Sequence, residues 1–144
     1  MKNKSYIFAV LAVFATVFIL FNSAQPAAES SESSAFFVNF LMKYIWFTDV
    51  NQLTFFVRKT AHMTEFFVQA LMISMAYLYG KNKFTDRFVH VMFFGLLTAC
   101  SDELLQHFVE GRSDMVTDIW IDFSGVLFAV IIYYILYLKK VRKK

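Results

Sequence analysis

The chain has 144 residues, 58% of them hydrophobic and 19% aromatic, with nineteen Phe but only four Gly and one Pro. A soluble domain of this size is about 45–50% apolar, so the composition excludes an ordinary water-soluble fold and predicts one all-α membrane domain spanning residues 1–144. The net charge of +3 does not mark a nucleic-acid binder, because ten of the fourteen Lys and Arg sit in three groups beside hydrophobic segments.

Taken in chain order, the first hydrophobic segment covers residues 6–21, behind Lys2 and Lys4. It is short for a bilayer core about 30 Å thick, which needs about 20 helical residues. With Asn22-Ser23-Ala24 behind it, it also has the form of a cleavable secretory signal, and cleavage would leave three spans. Residues 26–34 are small and polar and read as a flexible external loop. Residues 35–57 differ: Phe36, Phe37, Phe40, Leu41, Tyr44 and Ile45 follow helical spacing. With Trp46 and Phe47 alongside, they predict a helix lying in the outer interface or packed on the bundle.

Three further segments, 60–79, 88–108 and 119–138, are each long enough to span. Lys81, Lys83 and Arg87 fall between the first two of these, and Lys139, Lys140, Arg142, Lys143 and Lys144 follow the last. Acidic residues are scarce there, Asp86 being the exception. Four spans with both termini in the cytoplasm satisfy this alternation of charge, and the expectation is a polytopic protein with an external interfacial helix between spans one and two. Cys100, the lone cysteine, excludes an internal disulfide and reads as a small packing residue.

The predicted spans carry an unusual load of charge. Arg58, Glu65, Asp102, Glu103, Asp114, Asp118 and Asp122 lie within them or at their ends. Each ionisable group in hydrocarbon costs about 2.5–3.5 kcal/mol on insertion scales and ordinarily faces protein or water. Arg58, His62, Glu65 and Gln69 step along one helix face, with Glu65 about 10 Å below Arg58. Asp102 pairs with Gln106, and Glu103 with His107, at i, i+4; Asp118, Asp122, Gly125 and Ala129 form a third stripe whose small residues permit close helix contact. Glu65, Asp102 and Asp122 therefore fall at one depth, as a shared cavity open to the outer face requires, with Arg58, Lys59 and Arg112 at its rim.

Several chemistries suit such a set. Glu65 or Asp102 can serve as acid or base beside another carboxylate, with His62 assisting. His62, Glu65, Glu103 and His107 have helix-compatible spacing for a divalent metal, but no paired-His motif supports it, and no metal or cofactor is assigned. A cationic rim over acids also suits a zwitterionic or amphiphilic ligand. The bland alternative is a static ion-pair network fastening the helices, in a structural partner of another membrane protein. The ligand-binding set is Arg58, Lys59, His62, Glu65, Asp102, Glu103, Gln106, Arg112, Asp118 and Asp122.

The run Arg58-Lys59-Thr60-Ala61-His62-Met63-Thr64-Glu65-Phe66 resembles the R-K-x-A-H-x-x-E-[YF] motif of the VanZ family. Asp102-Glu103-Leu104-Leu105-Gln106, Gly111-Arg112, Asp118, Asp122 and Gly125 are similar to the second half of that pattern, and Ser23-Ala24-Gln25 to its S-x-Q. The resemblance implies a small multi-pass protein of the bacterial cell membrane. The family is named for a member that lowers susceptibility to teicoplanin, a glycopeptide antibiotic with a lipid tail. The partners it implies are the lipid bilayer and a lipoglycopeptide, an envelope lipid or a cell-wall precursor. The chain departs from the pattern at Asp122, where Asn is usual, at Ala129, near a usual glycine, and at Glu110, where proline is usual. An extra acid at 122 needs another cation or a proton.

Overall fold

The computed structural model describes residues 2–44, 49–80, 87–112 and 115–142. Five α-helices follow one another: α1 (Lys2–Ser23), α2 (Ala27–Met42), α3 (Val50–Tyr79), α4 (Arg87–His107) and α5 (Val116–Arg142). No strand occurs among the described residues. Ile45, Trp46, Phe47, Lys81, Lys83, Asp86, Asp114, Lys143 and Lys144 lie outside them.

Local chemistry sets the helix boundaries. Pro26, with φ −55° and ψ 151°, turns the chain out of α1, and the first N–H of α2, from Ala27, donates to the Glu110 carbonyl at 3.4 Å. The loop expected at residues 26–34 is therefore helical from Ala27 onward. Its serines do not break the helix because the Ser31 and Ser34 hydroxyls donate to the carbonyls one turn back, at 2.8 and 2.9 Å. The helix expected across 35–57 is split between α2 and α3. The Asp49 carboxylate accepts from the N–H groups of Asn51 and Gln52 at 2.9 and 3.3 Å, an N-cap that starts a new helix. Gly111, at φ +74°, supplies the left-handed residue that turns α4 toward α5.

Among the described residues, three helices are long and apolar enough to cross a membrane: Asn3–Ser23, Arg87–His107 and Val116–Arg142. The short first segment thus gains a turn at its start and a few residues at its end. The expected span at 60–79 belongs to α3, which is not one of the three, since Glu65, His62 and Gln69 lower its hydropathy. α3 touches all four other helices, which leave Gln69 buried and Arg58, His62 and Glu65 half-buried. The apolar residues exposed on α1 and α5, among them Phe14, Phe18, Phe128 and Ile131, form faces suited to lipid. The chain is an all-α membrane protein.

Hydrogen bonds give the helix directions. α3 runs antiparallel to α1, with Ser5 Oγ donating to the Ala76 carbonyl at 2.7 Å and Asn22 Nδ2 to Glu65 Oε1 at 3.0 Å. It also runs antiparallel to α4, where the Arg87 guanidinium lies 4.6 Å over the Tyr77 ring. It runs parallel to α5, joined by a Lys59–Asp118 ion pair near one end and by Lys140 donating to the Leu78 carbonyl near the other. Gln69, 1% exposed, fastens the middle: its Nε2 donates to Thr16 Oγ1 at 2.7 Å and Thr98 Oγ1 at 2.9 Å. Around it Ile19, Phe66, Ala70, Val91, Ala99, Val126 and Ala129 form the apolar core.

α5 meets α3 most closely at Gly125. A Cβ there would run into the Met63 carbonyl and lie 3.1 Å from Phe67 N, and the obstacle is backbone that cannot rotate aside. Gly125→Leu is expected to lower stability by about 1–3 kcal/mol or more through overpacking, read as a reduced Tm in detergent. Phe128→Leu on the lipid-facing side of the same helix should leave the Tm nearly unchanged.

Candidate functional site

One turn beyond Gln69, the polar face of α3 reaches the end of the bundle where α1 and α4 finish. Glu65 accepts from Asn22 through Oε1, while its buried Oε2 has no partner. His62 comes next, with a buried and unpartnered Nδ1. Arg58 follows on the same face. Asp102 of α4 is fully buried. Its Oδ1 accepts from the Ser23 hydroxyl of α1 and its Oδ2 from Gln106 Nε2 at 2.7 Å. Glu103 accepts the Met115 N–H at 2.8 Å through Oε2, but its buried Oε1 is unpartnered. α5 brings Asp118, paired with Lys59, and Asp122, which is 2% exposed.

His62, Asp102 and Asp122 come from three helices, yet each offers a ligand atom within 4.8 Å of the other two. The i, i+4 stripes put their side chains on inward faces, and the missing Cβ of Gly125 brings α5 near enough to α3 for them to meet. Glu65 stands on the other side of His62, toward α1. His107 does not join: it is exposed, its ring packed against Phe108 at 5.1 Å. The metal spacing read from His62, Glu65, Glu103 and His107 is therefore corrected, since α4 has run past its cover at residue 107.

Two clefts flank His62 and Arg58, which line both. One, of about 220 Å³, lies toward α5 and is lined by Lys59, Glu103, Gln106, Asp118 and Asp122. The other, of about 580 Å³, lies toward α1 and α2 and combines Glu65, Arg112 and Asn22 with Phe18, Phe21 and Phe37. The single cavity expected from the sequence is thus divided by the α3 face itself.

Arg112 has a second task. Its Nε donates to the Gln25 carbonyl at 3.1 Å and its Nη2 to the Asn22 carbonyl at 2.9 Å, so it satisfies carbonyls at the C-terminal end of α1. Nη1 is buried without a partner. Burial, with Arg58 nearby, holds the Arg112 guanidinium below its ordinary pKa.

Sequence reasoning overlooked Asn22 and Ser23 as partners of the two buried acids. The signal that held them was the S-x-Q resemblance at the end of the first span. It also read Arg87 only as one of the basic residues flanking the spans, whereas this side chain is 4% exposed at the end of an apolar groove of about 570 Å³.

The sequence profile of the VanZ/LLP1 family matches residues 8–137. No curated protein and no solved structure matches the chain. The matched stretch takes in α2, α3 and α4 whole, most of α1 and α5, and every residue of the polar cluster. The chain belongs to the VanZ/LLP1 family.

Proposed function

We propose that this protein holds an amphiphile at the outer leaflet, in the cleft among α1, α2 and α3. The observation that carries the reading is that cleft's makeup. Arg58, Arg112 and Glu65 line it together with Phe18, Phe21 and Phe37, three rings that are largely exposed. A polar headgroup placed by the guanidinium groups can leave its tail along the rings and out into lipid. A lipoglycopeptide such as teicoplanin, an envelope lipid and a cell-wall precursor all have this form.

In this reading α3 is the fourth span, sheltered by α1, α4 and α5, and α2 is an external helix over the cleft. The basic residues at the start of α1 and the end of α5, Lys4, Lys139, Lys140 and Arg142, put both termini in the cytoplasm and the cleft outside. A second reading, an enzyme modifying an envelope lipid, is favoured by the unpartnered Glu65 Oε2 in the wall of the cleft, with His62 beside it. Asp102 suits that role less, being fully buried with both oxygens engaged.

Three measurements test these statements. In a Cys100→Ser background, Glu32→Cys should react with an impermeant maleimide on intact cells and Lys4→Cys only after permeabilisation; the reverse pattern removes the proposed orientation. Overexpression should raise the teicoplanin inhibitory concentration more than that of vancomycin, and Arg58→Ala should weaken the effect about tenfold, as loss of one charge-assisted hydrogen bond implies. Equal shifts for both drugs count against the tail-dependent cleft. Comparing lipids from wild-type, deletion and Glu65→Gln strains tests the chemistry: a species absent from both altered strains supports an enzyme, and identical profiles in all three remove it.

A further inference from the structure

We propose that His62, Asp102 and Asp122 form a site for one divalent transition-metal ion, of the zinc or manganese class, where α3, α4 and α5 meet. This goes beyond the amphiphile reading and adjoins the smaller cleft, which His62 and Asp122 line while Asp102 is fully buried, although Arg58 and His62 border both clefts.

Geometry is the first argument. Three ligand atoms within 4.8 Å of one another enclose a point about 2.8 Å from each, and a small side-chain adjustment reaches the ~2.0–2.2 Å of zinc–nitrogen and zinc–oxygen bonds. The three residues stand on separate helices, so the ion would cross-link α3, α4 and α5 at one level. The Asp102 carboxylate is already oriented by Ser23 and Gln106, and such hydrogen bonds are what hold a metal ligand in place.

Unmet polar groups are the second and independent argument. Asp122 is 2% exposed and lines the smaller cleft together with His62 and Glu103. Glu103, 6% exposed and lining the same cleft, has an unpartnered Oε1, and His62 an unpartnered Nδ1. Buried carboxylates are paired or coordinate metals. Lys59 is already committed to Asp118, and Arg112 to the end of α1.

The donor set selects the ion. One imidazole nitrogen with two carboxylate oxygens suits zinc or manganese, whereas magnesium and calcium favour oxygen alone. Three protein ligands leave a coordination position open toward the 220 Å³ cleft, where water or an anionic group can enter.

Full-length protein purified in detergent, stripped with EDTA and desalted, tests the site by titration calorimetry with Zn²⁺, Mn²⁺ and Mg²⁺ separately, and by elemental analysis after a second desalting. One zinc or manganese per chain is expected, with a raised Tm, and magnesium should bind more weakly. Asp122→Asn and His62→Gln should each weaken binding by about tenfold or more, with His107→Gln unchanged. Should Asp122→Asn fail to give a helical, monodisperse protein, His62→Gln at the half-buried position decides. No stoichiometric ion from any of the three salts, or undiminished binding by His62→Gln, overturns the proposal and leaves protons to neutralise the acids. Metal binding without an antibiotic or lipid effect would remove the amphiphile reading alone, and the converse would remove only the metal.

Discussion

α5 lies against α3 without a side chain between their backbones at Gly125, next to Met63. A larger residue would separate the two axes and carry Asp122, one turn earlier on α5, away from His62. The approach also aligns the helices in parallel, so Asp118 reaches Lys59 at one end and Lys140 reaches the Leu78 carbonyl at the other. Ionisable groups from distant parts of the chain thus share a small volume with little water to separate them. Their energies then depend on one another more than on bulk solvent.

Within that volume the polar groups fall into two kinds. Gln69 ties α3 to α1 and α4, Asp102 is held by Ser23 and Gln106, Lys59 is paired with Asp118, and Arg112 closes the end of α1. These contacts fasten helices. The second kind is left open: Glu65 Oε2, His62 Nδ1 and Glu103 Oε1 lack partners, and Asp122 is buried close to His62. A purely structural network would leave few such groups, because each raises the energy of the fold. The open groups face the two clefts on either side of His62, and there the proposed ligands are placed.

α3 shows why hydropathy alone misjudges a helix of this kind. Read by itself it is too polar to cross a bilayer, although 30 residues give it about 45 Å of length. Its neighbours change the accounting. Gln69 and Glu65 meet α1, and His62 meets α4 and α5. A polar stripe covered by other helices does not meet lipid. The same reasoning applies to Arg87, a span-flanking basic residue whose guanidinium lies over the Tyr77 ring.

The sequence by itself determined the all-α class, the helix faces bearing Arg58, His62, Glu65 and Gln69, the inward stripe Asp118, Asp122, Gly125 and Ala129, and the family motif. Periodicity and composition are local properties, legible one segment at a time. It misread residues 26–34 as loop, because serine and alanine are compatible with either state and the hydrogen bond from Ala27 to Glu110 joins residues far apart in the chain. It offered His107 as a metal ligand, because i, i+4 spacing records a shared face and not where a neighbouring helix stops covering it. Only the tertiary structure decided that His62 meets Asp102 and Asp122, that Asn22 and Ser23 serve Glu65 and Asp102, and that one expected cavity is two clefts. Those outcomes depend on the distance and rotation between helices, which side-chain packing sets and no single segment encodes.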